Sequence, residues 1–185
     1  MKKIIILIGF SCVLFFLLKI ISYYKDYQYF LTESNKILIS GNQKEIKQME
    51  EKFLSIINEN KIIPNPWSSW YIERRGIFLS YLKEYKEYLK LLESIKNKNK
   101  DIDRELLICM LKEKLSLEYI PCYEDIYPKI SNDYNDLNYW IVISALNKKE
   151  LYKNKKYILD DNFLNVVEVF LSTPRTVFIE KTFPN

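Results

Sequence analysis

The sequence predicts an all-α protein: an N-terminal transmembrane helix followed by antiparallel helical hairpins, arranged as repeats or as a bundle. Three observations lead there. An apolar run opens the chain, MKKIIILIGFSCVLFFLLKIISYYKDY. In the remainder, apolar residues recur at spacings of three and four, the signature of one buried helix face. Strand signal is confined to Thr176-Val177-Phe178-Ile179, and a single short strand has nothing to pair with. That last stretch is expected to be a tail packed on the final helix.

The opening run comes first. From Ile4 to Ile21 the only charge is Lys19, and at a rise of about 1.5 Å per residue the run makes a helix of roughly 27 Å, long enough to cross a bilayer. Where a signal peptidase would need small residues, the run ends in Lys19-Ile20-Ile21-Ser22-Tyr23-Tyr24, with only Ser22 small. A lipoprotein reading finds only Ser11 in place within Gly9-Phe10-Ser11-Cys12, and the apolar run continues past Cys12. Gly9-Phe10-Ser11 resembles the cut site of a type IV prepilin, but Leu14 stands where that family usually has a glutamate. An uncleaved anchor is therefore expected, with Cys12 a small apolar residue inside it. Tyr23, Tyr24, Tyr27 and the long stem of Lys19 suit the water-facing edge. Lys2 and Lys3 are opposed by Lys19 and Lys25, and the positive-inside rule leans towards a cytoplasmic N-terminus. The expected location is the inner membrane, single-pass, with the body periplasmic or extracellular. The division is an anchor at 1–24, a helical domain at 25–173 and a tail at 174–185.

Composition then excludes several chemistries. The net charge is +4, but Lys2, Lys3 and Lys19 lie in the first 21 residues, leaving 25 bases against 24 acids. That near-neutral body offers nucleic acid no electrostatic footprint. One basic stretch stands out, NKKELYKNKKY at 147–157, where Lys148, Lys149, Lys153, Lys155 and Lys156 meet one glutamate. It reads as a solvated helix face or as a patch touching anionic lipid near the anchor. Histidine is absent, which removes the commonest general base and most zinc and iron sites. Three cysteines and three glycines leave neither a thiolate metal cluster nor a phosphate-cradling loop. No metal, no cofactor and no enzymatic activity are expected. Ser80-Tyr81-Leu82-Lys83 does fit the S-x-x-K pattern of penicillin-binding enzymes, with Ser131-Asn132-Asp133 and Lys181-Thr182-Phe183 as loose echoes of their other motifs. Phe183 replaces the glycine of the third, and Ser80 lies in a stretch patterned for packing.

Along the body, Ile46, Met49, Phe53 and Ile56 mark one helix. Phe78, Tyr81, Tyr85, Tyr88, Leu92 and Ile95 continue the same rhythm. Breaks are expected at Ser40-Gly41-Asn42, at Ile63-Pro64-Asn65-Pro66, from Lys96 to Asp101, and at Pro121, Pro128 and Pro174. Asn65 before Pro66 is a helix start. Further helices are expected at 102–118, 133–147 and 161–172, with Asp101, Asp103, Asp160 and Asp161 serving as caps.

Residues 74–95, RRGIFLSYLKEYKEYLKLLESI, resemble a tetratricopeptide hairpin: Gly76 is the small residue of the first helix, a tight turn falls near Lys83, and Tyr85 leads a second helix to Leu92 and Ile95. Residues 33–53 are similar, with Ser34 in the small position and Gly41 at the turn. Matching turns lie 42 residues apart, whereas the family period is about 34. Tyr88 and Ile46 stand where the family has a small alanine, which would splay the helices. The resemblance implies a scaffold whose concave face holds a peptide or another domain. Trp67, Trp70, Tyr71, Arg74 and Arg75 are then the candidate binding residues, aromatics and arginine being enriched at binding hot spots. Alternatively the tryptophans fill the joint between hairpins and the arginines lie in solvent. Cys109 and Cys122 are either a disulfide, if the compartment is oxidising, or two buried thiols.

The expected function is a membrane-anchored, non-enzymatic, protein-binding adaptor or assembly factor of a bacterial envelope. Its partners would be another protein and, through residues 4–21, the lipid bilayer, but not nucleic acid. The alternatives are an inhibitor or immunity-type protein that neutralises a toxin, and a prepilin-like structural subunit.

Overall fold

The computed structural model describes residues 21, 24–25, 28–59, 66–95, 101–130 and 134–185, the side chains of 56–59 and 66–72 excepted. The expected anchor at 4–21 therefore lies, but for Ile21, outside the described residues. Among the described residues no helix is long and apolar enough to cross a membrane, and every regular element is a helix. The chain divides into two compact units, 1–62 and 63–185.

The first unit contains α1 (28–40) and α2 (Gln43–Glu59). Gly41 joins them at φ +68°, the left-handed conformation that glycine adopts without penalty. Asn42 then starts α2 by accepting from the Lys44 and Glu45 amides at 3.1 and 3.4 Å. Phe30 and Leu38 of α1 are buried, as are Ile46, Met49 and Phe53 of α2, with the Phe30 and Phe53 rings stacked at 5.0 Å. Ser34 is fully buried, and its hydroxyl donates back to the Leu31 carbonyl at 3.1 Å.

The second unit runs α3 (Pro66–Tyr81), α4 (Tyr85–Glu93), α5 (Ile102–Lys114), α6 (Ile120–Ile130), α7 (Leu137–Ala145), α8 (Leu151–Lys155), a 3-10 turn (Lys156–Ile158), α9 (Asp161–Ser172) and α10 (Arg175–Thr182). Each of α3 to α6 packs on its successor, α7 packs on α9, and α5 also receives α7 and α10. That central position explains why Leu106, Ile108, Cys109, Met110 and Leu111 are all buried. Where neighbours pack on a helix from several sides its residues are apolar all round, and here the charged residues are kept to the two ends. Helix α7 is similar, with six consecutive buried residues from Tyr139 to Ser144. Aspartates open three of these helices. Asp101 accepts from the amides of Asp103 and Arg104, Asp136 from Asn138, and Asp160 from Asn162 and Phe163. Between α5 and α6 the sulfurs of Cys109 and Cys122 are bonded, with Cα atoms 5.5 Å apart.

Two expectations require correction. Pro121 and Pro128 do not break the chain but lie within α6. Pro121 occupies the first turn, where a helix has no use for its amide. Pro128 falls near the other end, and the buried stripe Tyr123, Ile126 and Ile130 compensates for its missing hydrogen bond. The expected tail at 174–185, packed on the final helix, is instead largely a helix of its own, α10. Pro174 caps it, accepting from the Phe178 amide at 3.1 Å, and burial of Ile179 and Phe183 overrides the strand preference of Thr176-Val177-Phe178. Phe178 does lie edge-on to Phe170 of α9 at 5.0 Å, yet the helix as a whole also rests on α5.

Candidate functional site

All five candidate binding residues fall on α3. At roughly 100° per residue, positions 67, 70, 71, 74 and 75 lie within an arc of about 140°. Arg74 and Arg75 are half-buried, and both are engaged in interactions. The side chains of Trp67, Trp70 and Tyr71 are outside the described residues. Position 78 shares the arc, and Phe78 is fully buried, so the C-terminal end of this face is covered.

Gly76 lies on the opposite side of α3. A Cβ there would stand 2.5 Å from Tyr88 Cε2 and 2.9 Å from Cζ and the hydroxyl. Tyr88 therefore does not force α3 and α4 apart as expected; the large ring of one helix fills the space that a glycine leaves in the other. The connecting turn places Lys83 at φ +60°, with the Lys83 amide donating to Ser80 O at 3.0 Å and the Glu84 amide to Leu79 O at 2.8 Å. That is a left-handed helix stop with lysine where glycine is usual. Gly41 and Lys83 are thus left-handed residues at matching points of two hairpins.

The S-x-x-K residues part company at this turn. Ser80 is half-buried near the end of α3, while the Lys83 ammonium donates to the Asn185 carbonyl. Ser131 to Asp133 lie outside the described residues, and Lys181 and Thr182 belong to α10.

The most developed polar cluster was not foreseen. Arg175 donates from Nε to Glu113 Oε1 at 2.9 Å and from Nη2 to Oε2 at 2.7 Å, the bidentate geometry that a guanidinium favours. Nη2 also donates to the Tyr123 hydroxyl at 2.7 Å, Tyr123 donates to Glu113 at 2.8 Å, and Nη1 reaches the Ile141 carbonyl at 3.3 Å. Burial pushes the Tyr123 phenol well above its ordinary range. Burial works against the Arg175 charge, but the bonds to Glu113 and Tyr123 outweigh it and raise its pKa. Both carboxylate oxygens are occupied, so the cluster ties α5, α6, α7 and α10 together instead of exchanging protons. No sequence spacing links residues 113, 123 and 175; only the return of α10 to α5 does.

A cleft of about 240 Å³ lies between α5 and α6, lined by Glu105, Ile108, Cys122, Asp125, Ile126 and Lys129, with Glu105 and Lys129 paired across it. Among the described residues no three His, Cys, Asp or Glu side chains gather as metal ligands.

Compared with protein-family models, with curated proteins and with solved structures, the chain matches none. The tetratricopeptide resemblance rests on the residues quoted for it.

Proposed function

We propose that the chain is a membrane-anchored, non-enzymatic adaptor or assembly factor of a bacterial envelope, whose helical body lies outside the cytoplasm and binds another protein. The observation that carries the reading is the Cys109–Cys122 bond, because such bonds persist in oxidising compartments and are rare in the cytosol. The apolar run from Ile4 to Ile21 supplies the tether. Antiparallel hairpins supply a rigid scaffold, and the arc of Trp67, Trp70, Tyr71, Arg74 and Arg75 on α3 is the candidate contact face.

Protease added to cells stripped of their outer barrier tests the address. Digestion of the body without lysis, with Cys109 and Cys122 resisting alkylation until a reductant is added, supports it; protection until lysis with freely alkylated thiols reverses the orientation. A photo-crosslinking residue at position 67 or 71 is expected to capture a protein that the same group at position 44 does not. The inhibitor reading is kept because of the lysine-rich stretch 147–157; crosslinks to an acidic protein from position 153 and none from α3 would favour it.

A further inference from the structure

Lysines among the described residues meet their charge in two ways, some on a carboxylate and others, such as Lys52 over the Tyr29 ring and Lys83 on the Asn185 carbonyl, without one. Lys36, Lys47, Lys90, Lys112, Lys114 and Lys129 each pair with a carboxylate. Among the described residues none of Lys148, Lys149, Lys153, Lys155 and Lys156 does so, which gathers five such lysines within residues 148–156. The Lys148 ammonium sits 4.4 Å from the centre of the Tyr127 ring, Lys155 4.1 Å from Tyr134, and Lys156 5.0 Å from Tyr157. Lys149 donates to the Leu171 carbonyl at 2.7 Å. Aromatic faces and a carbonyl position these cations without neutralising them. The acids nearby in sequence are Glu150, Asp160 and Asp161, and Asp160 is committed to capping α9.

Directly after these lysines the chain presents Tyr157, 82% exposed, and Ile158, 56% exposed, in a 3-10 turn. Leu159 is buried at the next position, so the turn is pinned while its two apolar side chains face outward. We propose that this turn docks on an anionic lipid surface, Tyr157 and Ile158 entering the headgroup region while Lys153, Lys155 and Lys156 lie against lipid phosphates. Two apolar residues among cations are far too little for a stable protein interface. They suit a bilayer interface, where an amphipathic ring and a basic surround act together. The inference rests on the membrane address proposed above, which would hold the turn within reach of lipid.

The test uses the full chain with Cys12→Ser and Ile158→Cys, the latter carrying an environment-sensitive fluorophore, added to phosphatidylcholine vesicles with or without phosphatidylglycerol. Emission is expected to shift to the blue only where phosphatidylglycerol is present and to return on raising salt. Each of Lys153→Ala, Lys155→Ala and Lys156→Ala is expected to weaken the docked state about fivefold; Lys153 is exposed, so its variant reads docking apart from folding. Equal emission in both vesicles overturns the proposal. So does the same shift with soluble polyglutamate, which would make an acidic polypeptide the occupant. Alkaline extraction of the same vesicles reads the anchor separately: a chain that is extracted yet still shows the phosphatidylglycerol-dependent shift upholds docking and overturns the anchor, and a chain that resists extraction without the shift does the reverse.

Discussion

The Arg175 guanidinium lies 5.5 Å from the centre of the Tyr123 ring and 5.0 Å from that of Phe178, while its nitrogens hold Glu113. Removing it strands a carboxylate whose side chain is only 10% exposed. Arg175→Ala is therefore expected to cost about 3 kcal/mol in urea unfolding, whereas Arg175→Met combined with Glu113→Leu and Tyr123→Phe, which removes every member of the cluster, should regain most of it. A triple variant no more stable than Arg175→Ala would mean that the cluster acts through shape alone. The phenols set a pH limit. Tyr139 is pushed up to about 12, first by burial and then by Tyr127 and Tyr134. Tyr152 also reaches about 12, from burial and from its 2.6 Å bond to the Glu168 carboxylate. An unfolded phenol loses its proton near 10, so between about 10 and 12 the unfolded chain binds fewer protons than the folded one and stability falls as pH rises. Their contribution is complete below that window and is lost as pH passes through it. Urea midpoints measured across the window should decline, and Tyr139→Phe should flatten the decline; a wild-type midpoint constant to pH 12 would count against both assignments.

At the scale of helices, the α3–α4 contact turns on Gly76. Gly76→Ala gains up to about 1 kcal/mol of helix propensity but drives a methyl group into the Tyr88 ring, and overpacking costs about 1–3 kcal/mol. The expected balance is a loss of about 1 kcal/mol, reversed in Gly76→Ala with Tyr88→Leu; a stabilised single variant would show that the ring swings aside freely. Helices α5 and α6 carry a second test. Cys109→Ala with Cys122→Ala reopens a loop spanning 13 positions, worth about 3 kcal/mol by loop-closure entropy, and reductant should lower the wild-type melting temperature while leaving the variant unchanged. Much of this level was legible in the sequence. Asp101 and Asp160 announced α5 and α9 because a cap is a local device, and the spacing of Tyr85, Tyr88 and Leu92 announced α4, of which Tyr85 and Leu92 are buried. What escaped was set by distant contacts. Pro128 is tolerated inside α6 only because Tyr123, Ile126 and Ile130 are buried, and α10 forms from a strand-like run only because Ile179 and Phe183 find the core. The α3 arc was legible as a set of positions on one helix face. The role of the lysines at 148 and 155 was not, since it depends on Tyr127 and Tyr134 arriving from earlier in the chain.

At the scale of the molecule, the second unit closes on itself. Most of its packing joins neighbours in sequence, which form early because short loops cost little entropy. Helix α10 reaches back the furthest. It returns across more than 60 residues to α5, where Arg175 meets Glu113 and Glu180 meets Lys114 at 2.9 Å. Beyond it, Phe183 lies edge-on to Tyr85 at 5.5 Å, and the Tyr85 hydroxyl donates to the Pro184 carbonyl at 2.6 Å. The last eleven residues thus bind α4 and α5 at once, and through Arg175 they also reach Tyr123 of α6 and Ile141 of α7. Two truncations follow. Residues 63–185 alone are expected to melt as one cooperative unit with the disulfide intact, because the disulfide and the Arg175 cluster lie wholly within them. Residues 63–173 are expected to lose that cooperativity, since Glu113 is left buried without its cation and Ile179 and Phe183 no longer cover α5. Adding the segment 174–185 as a separate peptide should restore part of the transition, and Arg175→Ala in that peptide should abolish the rescue. A 63–173 fragment that melted as sharply as 63–185 would show that the core closes without α10, and that the Arg175 cluster decorates a fold already complete.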